Sequence, residues 1–271
     1  MNIHTPSSSP PKLYKFHEPA PHFVQKSILD EEPAWVVDIA LQALQDSGIE
    51  PAEWGALLYR RMGVPITIKD YFYLIPDDNI TAASDILTSL GLPLSKPSRL
   101  HMLSEGDMAA KGIHHRISRS TLPSSVSHIV LYPLSFSTVL PSELERRPPL
   151  HISSSYRCPT IMVPRRTATY ASLIRMMSRY SQHCATRTLL SSDLSELVGY
   201  DLLSLEGGYV DPEDSAEWER LDIDGRIQRA VALVRQWSWE EEWREGEQWI
   251  GDALAWIVEG TADIANLPCA P

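Results

Sequence analysis

Three groups of residues have types and spacings that could do chemistry. Asp70 lies in a β-branched and aromatic run from Pro65 to Ile75. A carboxylate in so apolar a setting needs a reason to be there, either a metal ion or a base such as Lys69 or an arginine. Arg175, Arg179, His183 and Arg187 recur every four residues. On one continuous helix such steps drift by only about 40° each, so the four form a gently winding ridge. That ridge is either a rail for phosphates or a solvated face partnered by the acidic C-terminal part. His114-His115-Arg116, with Arg119, form a basic cluster in a segment read as loop. Adjacent histidines point apart, which favours phosphate contact or plain loop polarity over a shared metal.

Other chemistries find less support. Cys158, Cys184 and Cys269 are the only cysteines and show no CxxC spacing, so neither a disulfide framework nor a zinc site is expected. GxSxG, Walker A, GxGxxG and HExxH patterns are missing. Asp77 and Asp78 read as caps of a following helix. The net charge of −11 hides an asymmetry, because residues 108–192 carry 11 Lys/Arg against 2 Asp/Glu. The acidic total argues against non-specific coating of nucleic acid or membrane, while a basic middle block is how a phosphate-binding face would look. Apolar runs fall short of the roughly 18 residues of a membrane span. Pro6 to Pro11 occupies the place of a signal-peptide core, so cytoplasmic residence is expected.

The elements that must position these groups follow from periodicity and punctuation. Residues 1–29, rich in Pro and Ser, read as a disordered leader. A first helix is expected from Asp30 through Pro33, with Trp35, Val36, Ile39, Ala40, Ala43 and Leu44 inward and Gly48 closing it. An extended link leads to Trp54-Gly55 and a short helix through Met62. A strand over Pro65 to Ile75, a helix from Asp78 or Asn79 to Gly91 and a short strand over Arg99 to Leu103 come next. Residues 104–124 read as loop, Val126 to Phe136 as a strong strand and Thr160 to Val163 as a weaker one, with Pro-rich loops at 141–149 and 157–164. From Arg166 the chain reads as helical, with later helices near 191–205, 213–236 and 239–259. Six of the eight tryptophans lie in this last part, which packing of a helical cap explains. The expected division is a leader at 1–29, an α/β core at 30–164 and a helical, Trp-rich subdomain at 165–271.

Residues 35–92 resemble the core of the nucleotidyltransferase fold, the polymerase-β-like superfamily, and look closest to a diverged group of fungal proteins with that fold. The matching residues are Trp54-Gly55-Ala56, Gly63-Val64-Pro65, Asp70 and Ile75-Pro76-Asp77-Asp78. The resemblance implies an α/β core with a mixed sheet and flanking helices. It also implies a helix start at Gly55 and Ala56 that receives nucleotide phosphates, and Asp70 as a catalytic metal ligand for Mg²⁺ or Mn²⁺. Three departures bear on it. Ala56 replaces a small hydroxyl, Phe72 stands where the second carboxylate belongs, and the Val126–Phe136 strand offers only His128 as an ionisable ligand.

The expected function is therefore a diverged protein that binds a nucleotide or other phosphate-bearing ligand, with weak or altered transferase chemistry. Gly55 and Ala56 would take phosphate, Asp70 the metal, and Arg175, Arg179, His183 and Arg187 a polyanion. An inactive binding or scaffold protein is the first alternative. A tRNA-dependent, peptide-bond-forming enzyme using the acid-free segment 146–192 is the second. The oligomeric state and the substrate are not encoded in any motif.

Overall fold

The computed structural model describes residues 27–270. The expected leader lies outside the described residues except for Ser27 to Leu29, where Ser27 caps a 3-10 turn over Ile28–Asp30. The fold is α/β. Seven strands form one mixed sheet in the order β3-β4-β5-β2-β1-β7-β6. They are β1 (Ala52–Trp54), β2 (Tyr71–Ile75), β3 (Leu94–Ser95), β4 (Ile113–Arg116), β5 (His128–Pro133), β6 (Leu144–Arg147) and β7 (Ile161–Pro164). The central pair, β2 and β5, is parallel, and β1 runs parallel to β7. The remaining pairings are antiparallel. Ile129 to Tyr132 and Tyr73 to Ile75 are buried without alternation, as strands covered on both faces must be.

Helices cover both faces. On one side lie α1 (Pro33–Asp46) and α3 (Ile80–Ser89), which pack together. Pro33 sits in the first turn of α1, and Val36, Val37, Ala40, Leu41 and Leu44 enter the core. Asp38, also buried in α1, accepts from His151 Nε2 at 2.8 Å and from Ser155 Oγ, which holds the loop after β6 against the helix. On the opposite side are α4 (Arg99–Glu105) and α5 (Asp107–Ala110). α6 (Arg166–Met177) packs against α7 (Ala185–Leu197), and α7 packs against α4. Gly106 joins α4 to α5 at φ 58°, and a Cβ there would meet Thr186 Oγ1 at 2.5 Å, so only glycine fits against α7. The chain ends in α8 (Ser215–Arg220), α9 (Ile223–Trp239) and α10 (Gln248–Val258). Among the described residues no strand follows Pro164, yet one continuous hydrophobic core runs from α1 through α10.

Several elements differ from the sequence reading. The strand expected over Pro65 to Ile75 is confined to its last five residues, and Asp70 precedes it. The cause is β1, whose last ladder pair is Trp54 with Phe72; Gly55 then turns the chain into α2 (Ala56–Arg61) and leaves residues 65–70 without a partner on that side. The link before Gly55 is itself β1. Arg99 to Leu103 is helical, because Pro97 lacks an N–H for the ladder and Ser98 Oγ accepts the N–H of His101 at 3.1 Å. Residues read as loop hold α5 and β4, and the first Pro-rich loop holds β6. The expected helices near 191–205, 213–236 and 239–259 are α7 with a π-turn over Val198–Leu202, then α8, α9 and α10. Of the tryptophans, Trp237 and Trp243 pack edge to face at 6.1 Å, whereas Trp239 is 90% exposed.

One half-buried acid sets a pH dependence. Tyr59 on α2 donates to Asp193 Oδ2 on α7 at 3.0 Å. Burial is the main force pushing the Asp193 carboxyl up to about 7; the Tyr59 hydrogen bond opposes it, and Glu196 and Glu105 add to it. A raised carboxyl stabilises the fold below its ordinary value of 3.8, and that contribution is lost as pH rises through about 7. Thermal unfolding of Asp193→Asn is therefore expected to show a higher midpoint than the parent at pH 8 and little difference at pH 5.

Candidate functional site

The parallel pairing of β2 with β5 brings their starting ends together. Tyr71 pairs with Ile129, so Asp70 falls beside His128. Asp70 Oδ1 accepts the backbone N–H of His128 at 2.8 Å and lies 3.0 Å from its Nδ1. On the other side of the ring, Nε2 is 3.2 Å from Ser95 Oγ. Ser95 reaches this point because β3 pairs with β4 through Ser95 and His114, and β4 pairs with β5 through Arg116 and His128. With Asp70 as acceptor, Nδ1 carries a proton, and in the neutral tautomer that this selects Nε2 is the acceptor for Ser95.

These three side chains line a cavity of about 420 Å³ between the sheet edge and α4. That is a size suited to a small ligand. Alternation along β4 turns His114 and Arg116 toward it and His115 away. His115 Nδ1 donates to Leu92 O at 3.1 Å and Nε2 accepts from Ser84 of α3 at 3.0 Å. His114 Nε2 donates to Ala109 O at 3.1 Å, and its ring meets His128 edge-on at 5.7 Å. Burial lowers the proton affinity of both His114 and His115, so both are neutral imidazoles. His101 behaves oppositely. Its hydrogen bond to Glu105, at 2.8 Å one turn along α4, holds its proton affinity above the ordinary value against the effect of burial.

The cavity has an uneven charge balance. Lys69, Lys96 and Arg116 line it, together with the carboxylates Asp70 and Glu105. Asp70 is engaged by His128 and Glu105 by His101. Lys69 Nζ donates to Pro123 O at 2.6 Å. Among the described residues none of these three cations meets a carboxylate, and the Nε of Arg116, the arginine of the lining, is buried without a hydrogen-bond partner.

Each residue singled out in the sequence has a definite place. Asp70 is in the cavity, but its partner is a histidine and neither Lys69 nor an arginine. Gly55 is buried at φ 56°, and a Cβ on it would stand 3.0 Å from the Phe72 ring, so Phe72 occupies the space before the six-residue α2 that begins at Ala56. The four-residue ridge does not form. α6 stops at Met177 and α7 starts at Ala185, and the lining of the cavity includes none of Arg175, Arg179, His183 and Arg187. Arg175 is buried in ion pairs with Glu143 at 3.2 Å and Glu247 at 2.5 Å. Arg187, 1% exposed, donates to the carbonyls of Met177, Leu267 and Pro268. Arg179 and His183 are exposed. Ser95 was not singled out, since only strand pairing brings it to His128.

The implied Mg²⁺ or Mn²⁺ pair does not fit these donors. Hard divalent ions need several oxygen ligands, and here one carboxylate, already holding His128, faces an imidazole and a hydroxyl. Among the described residues no group of three or more His, Cys, Asp or Glu is arranged to hold a metal ion. No helix among them is long and apolar enough to cross a membrane. No family model and no curated protein matches the chain.

The His101–Glu105 pair provides a direct check of the cavity's electrostatics. Its contribution to stability is full below the ordinary imidazole value of 6.5 and fades as pH rises through the elevated folded value. In an NMR titration, His101 of Glu105→Gln should titrate at lower pH than His101 of the parent.

Proposed function

We propose that the chain binds a small phosphate-bearing ligand, a nucleotide among the candidates, in the cavity between the start of β2 and β5 and α4. The observation that carries this reading is Arg116. Arg157, Arg165 and Arg175 also hold a buried guanidinium nitrogen without a hydrogen-bond partner among the described residues, but of the four only Arg116 lines this cavity, where an anionic ligand would complete it. Lys96 and the protonated form of His101 on the same wall add positive potential. Arg116 is suited to the task, since its planar fork matches two phosphate oxygens.

A diverged nucleotidyltransferase-like frame remains the proposed ancestry. The succession α1, β1, Gly55, α2, β2, α3 and then a parallel β5 supports it, as does the meeting of Asp70 with the next parallel strand. Ordinary two-metal nucleotidyl transfer is not part of the proposal, because Phe72 supplies neither a ligand nor space before α2. The tRNA reading drew on the acid-free segment 146–192 with its arginine ridge, and within that segment Arg175 and Arg187 are spent on internal contacts.

Calorimetric titration of the full chain with inorganic phosphate, pyrophosphate and the nucleoside mono-, di- and triphosphates tests the reading. Saturable binding that weakens with salt is expected, and Arg116→Gln should lose about tenfold or more in affinity, the scale of one charge-assisted contact. Arg116 makes no side-chain hydrogen bond among the described residues, so the substitution should leave the melting midpoint nearly unchanged. Absence of binding by every phosphate would favour the inactive scaffold.

A further inference from the structure

The contacts around His128 have a consequence that anion binding does not use. Asp70 Oδ1, His128 Nδ1, His128 Nε2 and Ser95 Oγ form an unbroken line with separations of 3.0 and 3.2 Å. Asp70 is further fixed by the N–H of His128, so the carboxylate cannot swing away from the ring. The side chains of His128 and Asp70 are 12% and 16% exposed, Ser95 is half-buried, and all three line the cavity. An acid that orients an imidazole, an imidazole that accepts from a hydroxyl, and a cavity at that hydroxyl are the elements of an activated serine nucleophile. Chain order is no obstacle, since such sets are recognised by geometry and role.

The walls indicate the substrate class. Leu100 lines the cavity at 76% exposure, and Pro97, Pro123 and Val126 line it as well. Leu103, one turn along α4 from Leu100, and Leu122, between the lining residues Thr121 and Pro123, are also exposed. An apolar margin beside a hydroxyl suits an acyl chain. We infer that Ser95, His128 and Asp70 form a serine esterase site for acyl esters with an aliphatic acyl chain. This goes beyond the anion-binding reading and stands without it.

The step balances with water as the only co-reactant. Ser95 Oγ bonds to the ester carbonyl carbon while its proton passes to His128 Nε2. Asp70 holds the Nδ1 proton and steadies the imidazolium. Collapse of the tetrahedral adduct breaks the bond to the alkoxy oxygen, which leaves with the Nε2 proton as the alcohol. Water then gives a proton to Nε2 and adds to the acyl carbon. The bond to Ser95 breaks, Oγ recovers its proton, and the carboxylic acid departs. Lys96 and Arg116 on the same wall offer positive potential to the transient oxyanion.

The test uses the full chain with a fluorophosphonate probe, peptide mapping by mass spectrometry, and p-nitrophenyl acetate, butyrate and octanoate as neutral substrates. The expected result is a single covalent adduct on Ser95 and faster turnover of the longer acyl chains. Ser95→Ala should abolish both, and His128→Gln should lower turnover by roughly 10²–10⁴-fold. The adduct map is read on the unaltered folded protein, so it holds even if His128→Gln unfolds. A parent chain without an adduct at Ser95, or one whose ester turnover survives Ser95→Ala, overturns the inference. Because the substrates carry no phosphate, failure here leaves the phosphate titrations unaffected, and the reverse also holds.

Discussion

The contact between Asp70 and His128 fixes the geometry on which the site depends. A single carboxylate oxygen takes both the backbone N–H and the ring of the first residue of β5, so it joins the entry points of two central parallel strands. Parallel neighbours have no hairpin to set their register, and the central pair here is separated by more than fifty residues of chain. A side-chain clasp at the starting end supplies that missing constraint. The same clasp turns the imidazole so that its far nitrogen meets Ser95 on the edge strand, two strands away. Structure and chemistry thus share one interaction.

Electrostatics elsewhere in the fold sharpen the contrast with the cavity. Arg175 and Arg244 converge on Glu143, and Arg175 also holds Glu247, which fastens the segment before β6 to α6 and the chain before α10. Arg166 is paired with Asp201, and Arg165 with Glu242. A partnership with the acidic C-terminal part, one of the two readings of the ridge, holds for Arg175 through Glu247, and Arg165 and Arg166 of the same basic block are paired with C-terminal acids too. Arg116 differs from these arginines in having no carboxylate partner among the described residues, since Asp70 and Glu105 beside it in the cavity are engaged by His128 and His101.

How much was legible in the sequence varies with how local the cause is. α1, α3 and β5 follow from helical or β-branched periodicity with clear stops, and each formed where those signals lie. Asp70 was legible as an acid that needed a partner, and His128 as the ionisable residue on the later strand, but their meeting is a product of parallel register. Ser95 carried no signal, since a serine between a leucine and Lys96-Pro97 reads as loop until β4 pairs with it. The arginine ridge failed for a tertiary reason. The stretch from Ser178 to Cys184 has neither Gly nor Pro, so periodicity runs through it unbroken. In the fold Arg187 reaches back to the carbonyl of Met177 at the end of α6, which satisfies that helix terminus and sets α7 as a separate helix.

The most direct measurement of the central claim is the protonation pattern of the His128 ring, read from nitrogen-15 imidazole shifts at neutral pH. The geometry predicts a proton on Nδ1, shielded from exchange by Asp70, with Nε2 as the acceptor toward Ser95. A ring protonated at Nε2, or one whose Nδ1 proton is unaffected by Asp70→Asn, would contradict it.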